Sequence, residues 1–158
     1  MSSNRILPAA GATACAALLG FGYYLQYAQG LQPCPLCMVQ RGFFYGVMLV
    51  FILASLHGRA FPAYGILAFL FAAGGAATAG RQVWLQSLPP DKVPACGPDL
   101  FFMLDNFPLS RTLKKLFYGS GECAVVDWTF LGLSIAGWSL VCFAILGVYG
   151  LALAFRKR

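Results

Sequence analysis

Ala60-Phe-Pro-Ala-Tyr-Gly-Ile-Leu-Ala-Phe-Leu-Phe-Ala-Ala-Gly-Gly-Ala-Ala-Thr-Ala-Gly80 contains no charged side chain from one end to the other. A helix that crosses a bilayer needs roughly 20 predominantly apolar residues, and this run supplies them. Three more uncharged stretches flank it: Ile6 to about Gln26, Gly42 to Leu56, and Thr129 to Phe155. The second is the shortest, so its helix is expected to start earlier, near Pro35 to Met38, which places Arg41 one turn inside its outer end. Composition agrees. Of the 158 residues 59% are hydrophobic and only 10% charged, against roughly a quarter charged in an ordinary soluble domain. The expected fold is an all-α membrane protein, a four-transmembrane-helix bundle forming one domain over 1–158. Spans are expected at about 6–26, 37–56, 60–80 and 129–155, with a short first outer loop (27–36) and a long second one (81–128).

The first stretch has the basic flank of a secretory signal in Arg5 and a small-x-small site in Ala28-Gln29-Gly30. Its apolar run exceeds the usual 7 to 15 residues, and Tyr23, Tyr24 and Tyr27 crowd that site, so it reads as an uncleaved span. Small residues from Ala72 to Gly80 would let helix backbones approach closely, the usual route to association where lipid removes the hydrophobic drive. A flexible glycine joint fits less well, since every peptide group inside a bilayer must be hydrogen-bonded.

The formal net charge of +6 is explained by position. All five acids (Asp91, Asp99, Asp105, Glu122, Asp127) lie between Gly80 and Thr129, while Arg5, Arg59, Arg156, Lys157 and Arg158 stand apart from them. Basic residues packed beside apolar spans mark the cytoplasmic side. With no basic run of recognition length, nucleic acid is not an expected partner. Both termini are therefore expected in the cytoplasm and the first and third connections outside.

The cysteines support the same orientation. Cys15 and Cys142 fall inside spans, where a thiol serves as a small apolar side chain. Cys34, Cys37, Cys96 and Cys123 all fall in the two outer segments, and an even number confined to one face implies an oxidising compartment, the periplasm. Cys34-Pro35-Leu36-Cys37 is a C-x-x-C at the start of a helix, a spacing that lets two sulfurs bond and a place where the helix terminus favours a thiolate. Redox cycling is the reading this favours over a purely structural bridge. Haem attachment needs a His where Met38 stands. A four-thiolate zinc site normally uses two short-spaced pairs, whereas Cys96 and Cys123 are far apart beside Gly97 and Gly121. No metal is expected.

Arg41 follows Cys37 at i+4 and so shares its helix face. A cation inside the end of a span is costly. It can either snorkel to the interface or hold a thiolate at Cys37 together with a ligand oxygen that becomes negative on reduction. In the second loop, Leu113, Leu116 and Phe117 with Arg111, Lys114 and Lys115 between them give a short amphipathic helix over Ser110 to Gly119. It would lie either on the membrane surface or on the loop's own small core.

Taken together, Pro33-Cys-Pro-Leu-Cys-Met-Val-Gln-Arg41, Arg81-Gln-Val-Trp-Leu-Gln86, Ala95-Cys-Gly-Pro98, Gly119-Ser-Gly-Glu-Cys123 and Asp127-Trp-Thr-Phe-Leu-Gly-Leu133 resemble the DsbB family, disulfide bond formation protein B. The order, C-x-x-C first and loop cysteines second, separates it from the vitamin K epoxide reductase family, where the C-x-x-C comes near the end. The resemblance implies a bacterial inner-membrane oxidoreductase, a protein-dithiol:quinone oxidoreductase. It would oxidise a periplasmic DsbA-type thiol oxidoreductase, pass the electrons to a membrane quinone (ubiquinone or menaquinone), and so sustain disulfide bond formation. By the same resemblance Cys96 is the cysteine attacked by the partner and Cys123 its bridge mate. Cys34 is the exchanger between the two pairs, Cys37 the sulfur that meets the quinone, and Arg41 the quinone-site arginine. Gln82 stands where family members often carry His; it can donate a hydrogen bond but cannot titrate. A membrane protein merely stapled by disulfides would leave Arg41 beside the C-x-x-C without a role, and a metal-handling protein would carry bound zinc or copper after purification.

Overall fold

The computed structural model describes residues 3–58, 62–93, 105–108, 110, 119 and 121–155. Among them are four long helices: α1 (Ser3–Ala28), α2 (Pro35–His57), α3 (Pro62–Gln86) and α4 (Ile135–Ala154). Each is long and apolar enough to cross a membrane, and together they make a multi-pass membrane protein. Large apolar side chains such as Leu49, Leu70, Ile145 and Val148 point outward, which is the surface lipid would cover.

Small residues set the packing. On α3 and α4 a side chain at Gly65 would collide with the Gly150 carbonyl and Ala154, and one at Gly150 would stand 3.0 Å from the Gly65 carbonyl. These two backbones therefore touch, as glycine permits in membrane bundles. Gly75 faces the Phe143 ring, Gly74 the Phe43 ring, and Gly147 lies opposite Ala72. The small run expected to mediate contact does so, but the two backbones touch two turns before it, at Gly65. Phe44 and Phe143 stack with centroids 4.0 Å apart in the same core. At the other end of α2, Gly58 adopts φ +64° as the C-cap and its N–H bonds to Ala54 O at 3.2 Å. A side chain there would strike Arg5, so the turn toward α3 needs glycine for both backbone and space.

Two boundaries differ from the sequence expectation. The third helix does not stop at Gly80 but runs to Gln86. Arg81 and Gln82 are therefore helical, with Arg81 stacked over the Trp84 ring at 4.2 Å. The fourth helix starts at Ile135 rather than Thr129, because a two-residue hairpin precedes it. Thr129–Phe130 pairs antiparallel with Leu133–Ser134, and Leu131 and Gly132 between them have φ 51° and 81°, the left-handed pair that matches strand twist in tight hairpins. Ser134 then caps α4, its hydroxyl accepting the Gly137 N–H at 3.3 Å, which satisfies one of the helix's open donors. The amphipathic helix expected over Ser110 to Gly119 lies almost wholly outside the described residues, as does Cys96.

Candidate functional site

The site begins at the cap of α2. Cys34 is the N-cap residue, with β-region backbone, and its sulfur accepts the Cys37 N–H at 3.3 Å. Pro35 at the first helical position has no N–H to leave open and its fixed φ suits the helix. The C-x-x-C is thus a helix start in which the first cysteine is the cap and the second sits in the first turn. Their sulfurs lie 2.7 Å apart.

Cys123 comes to the same point from the far loop. It is fully buried in the short 3-10 turn Gly121–Ala124 and packs with Cys34, Leu36 and Leu85. Gly119, at φ 78°, makes that packing possible, because a side chain there would run into Leu85 and Leu36. Cys34 lies between the other two sulfurs, hydrogen-bonded to Cys123 and to Cys37. Those bonds, that to Cys123 foremost, push the Cys34 thiol above its ordinary range, and burial pushes it the same way.

Gln82 closes the cluster from α3. Its Nε2 donates to Cys34 Sγ and to Cys37 Sγ, both at 3.3 Å. Its Oε1 accepts from Gln40 Nε2 at 2.7 Å. Both amides are buried. Had α3 ended at Gly80, Gln82 could not have been held this way.

Below the sulfurs opens a pocket of about 560 Å³ whose wall is mainly apolar. Cys37, Gln40, Arg41 and Gln82 face it from α2 and α3, Leu18, Gly22 and Gln26 from α1, and Trp138 and Cys142 from α4. Cys37 and Arg41 share one face of α2, as the i, i+4 spacing requires. The guanidinium, however, turns toward α1 and away from the sulfurs. It donates to Gln26 Oε1 at 2.5 Å and to Gly22 O at 3.1 Å, and it lies 4.7 Å from the centre of the Tyr23 ring. This anchoring fixes a cation on the pocket wall, and Gln82 takes the sulfur contacts. An aromatic chain, Phe21 to Trp128 to Phe130 to Trp138, spans α1, the hairpin and α4 with successive centroids 6.0, 6.0 and 6.1 Å apart. Ser134 Oγ donates to Gln86 Oε1 at 2.6 Å and ties the end of α3 to the start of α4.

Residues 4–153 match the family described as Disulfide bond formation protein DsbB. The chain belongs to that family. It is 50% identical over 147 residues to the disulfide bond formation protein B of Aromatoleum aromaticum, covering 91% of this chain and 88% of that protein. The corresponding protein of Hahella chejuensis is 52% identical over 149 residues, covering 92% and 90%. That of Polaromonas naphthalenivorans is 47% identical over 161 residues, covering 99% and 94%. No solved structure matches. Membership in the DsbB family makes the chain a disulfide-forming oxidoreductase of the membrane. Of the residues singled out in the sequence, Cys34, Cys37, Cys123, Arg41 and Gln82 meet at one end of the bundle, and Cys96 lies outside the described residues. Sequence reasoning missed Gln40, Gln26 and the Trp128 chain. Gln40 stands in the quoted run before Arg41, and its place at i+3 from Cys37 was the available signal.

Proposed function

We propose that the chain oxidises a periplasmic DsbA-type thiol oxidoreductase and delivers the electrons to a membrane quinone, acting as a protein-dithiol:quinone oxidoreductase. The observation that carries this reading is the order of the sulfurs. Cys123 touches Cys34, Cys34 touches Cys37, and both sulfurs of the C-x-x-C line the pocket, Cys37 on the face of α2 that carries Arg41.

The thiol steps follow from that order. A partner dithiol reduces the Cys96–Cys123 bridge and leaves as a disulfide. The Cys123 thiolate then attacks Cys34 of the Cys34–Cys37 disulfide, so that a Cys34–Cys123 bond forms and Cys37 leaves as a thiolate. Gln82 Nε2 donates to that sulfur, which favours the leaving group. The Cys96 thiolate next attacks Cys123, restoring the loop disulfide and releasing Cys34 to be protonated. Reforming Cys34–Cys37 from the Cys34 thiol and the Cys37 thiolate gives up two electrons and one proton, and the second proton an acceptor needs comes from water.

A quinone is the acceptor that chemistry needs, since when bound it takes two electrons and two protons. The residues fit it. A cavity of about 560 Å³ falls in the range of small-molecule sites, roughly 300–1,000 Å³, which are mostly apolar with a few polar groups to orient the ligand. Arg41, whose guanidinium has N–H donors beyond the two given to Gln26 and Gly22 O, would hold a ring oxygen. Gln82 would border the ring while bonded to the sulfurs, and the apolar walls would exclude water. Arg41 would favour negative charge developing on an oxygen.

The orientation proposed places both termini in the cytoplasm and the sulfurs at the periplasmic end of an inner-membrane bundle. A reporter active only outside the cytoplasm should work when fused after Gly97 and fail after Gly58 or Arg158. The activity itself is tested by following quinone absorbance with a reduced DsbA-type protein as donor. Loss of one quinone per partner disulfide formed supports the reading; partner oxidation with no quinone consumed sinks it.

A further inference from the structure

We propose that Gln40 is a positioning residue: by pinning the oxygen of the Gln82 side-chain amide, it forces the amide nitrogen onto the sulfurs and thereby favours the thiolate form of the reduced Cys34/Cys37 pair. The proposal rests on the reading of Cys34 and Cys37 as a redox pair, though not on the identity of their electron acceptor.

The reason lies in the two ends of an amide. A primary amide presents an acceptor oxygen at one end and a donor NH2 at the other, and turning about its last bond swaps them. Gln82 is placed where both ends reach Cys37, Nε2 at 3.3 Å and Oε1 at 3.6 Å. The two placements have opposite consequences. Nitrogen toward sulfur donates to a thiolate and stabilises it, while oxygen toward sulfur sets a lone pair against negative charge and favours the thiol. Nothing in Gln82 itself decides between them.

Gln40 decides. It sits on α2 three residues after Cys37, on the same face, and its Nε2 donates to Gln82 Oε1 at 2.7 Å. That bond occupies the oxygen and leaves Nε2 for the sulfurs, where it reaches Cys34 and Cys37. At 3% and 4% exposure, Gln40 and Gln82 have no water to exchange for this bond, so breaking it would strand polar groups in a dry site. None of the hydrogen bonds described for Gln40 goes to a sulfur. Its influence on the pair runs through Gln82.

The test uses full-length protein in detergent, without quinone. The Cys34/Cys37 pair is reduced, and two quantities are read: the pH midpoint of thiolate absorbance and the reduction potential against a thiol–disulfide buffer. Four variants are compared: Gln40→Leu, Gln40→Glu, Gln82→Leu and the Gln40→Leu/Gln82→Leu double. A hydrogen bond to a charged group is worth about 1.5–3 kcal/mol, so Gln40→Leu should raise the midpoint by about one to two pH units. The reduction potential should move with it, since a less stable thiolate makes the reduced pair less favoured. Gln40→Glu should raise the midpoint further. Its carboxylate can only accept, so it draws Gln82 Nε2 to itself and turns Oε1 toward the sulfurs. In the Gln82→Leu background, replacing Gln40 by Leu should change neither quantity by more than a few tenths of a unit. An unchanged midpoint and potential in Gln40→Leu would overturn the proposal, as would a Gln40 effect of full size without Gln82. If the thiolate shifts appear while the unmodified protein reduces no quinone, the positioning role stands and the acceptor assignment falls.

Discussion

Along the α3–α4 seam, Gly65 and Gly150 bring two backbones together, each glycine facing the other's carbonyl. At the outer end of the same bundle, Arg41 is held by Gln26 and the Gly22 carbonyl, and Gln82 by Gln40 and two sulfurs. The seam tolerates no added atom. The outer end tolerates no missing partner, because each polar group there completes another's hydrogen bonding in a site with little water. Stability and chemistry are thus carried by different residues, and substitutions should separate them.

The largest effect is expected at the outer end. Arg41→Ala removes the fixed cation from the pocket wall and should lower quinone reduction about 10²–10³-fold, the size of losing one preorganised electrostatic contact. Single-turnover exchange between the loop disulfide and a reduced partner should continue. Arg41→Lys should recover part of the rate, since an ammonium lacks the planar fork that reaches Gln26 and Gly22 O together. If Arg41→Ala reduces quinone at the unmodified rate across quinone concentrations, the arginine is only an interfacial anchor.

At the seam, Gly65→Ala sets two effects against each other. Alanine gains about 1 kcal/mol of helix propensity, but its Cβ would enter the Gly150 carbonyl and Ala154, which belong to backbone and a packed methyl. Overpacking of that kind costs about 1–3 kcal/mol, so a net loss of up to about 2 kcal/mol is expected. A thermal melt in detergent would read it, with turnover per folded molecule preserved; a rise in melting temperature would mean the seam can open. Ser134→Ala, which loses the α4 cap and the bond to Gln86, should cost about 1 kcal/mol. The smallest effect is expected at Gly22→Ala. The new methyl would lie 3.8 Å from the Arg41 guanidinium, an ordinary contact, so turnover should not move and stability should rise by no more than about 1 kcal/mol, the gain of alanine over glycine inside a helix. A large loss there would show that the guanidinium needs more room than this structure gives it.

Much of the fold was legible because lipid imposes simple rules. Long uncharged runs could only be spanning helices, and the count of four follows from them. The boundaries were harder where polarity and helicity part company. Arg81 and Gln82 look like loop residues by charge and polarity, yet Arg81 can stack on Trp84 and Gln82 can satisfy its amide on α2, so the helix continues past the apolar run. Thr129 to Ser134 read as the start of a span because it carries no charge, but Leu131-Gly132 forms a tight hairpin that delays α4. In the site, C-x-x-C spacing and the i+4 position of Arg41 located the α2 residues. The i+3 place of Gln40 from Cys37 put it on the right face, but its partner was not legible, because that appears only when α3 brings Gln82 opposite it.

The central claim is that electrons leave the thiol relay through Cys37, which lines the pocket from the same face of α2 as Arg41. It is tested most directly by steady-state quinone reduction with a reduced DsbA-type donor, comparing the unmodified chain with Cys37→Ala and with Cys15→Ala, a buried core position. The expected result is sustained quinone loss in the unmodified chain and in Cys15→Ala, with none above background in Cys37→Ala, while its loop disulfide still accepts one round of electrons from the partner. Quinone consumption at the unmodified rate in Cys37→Ala would contradict the account.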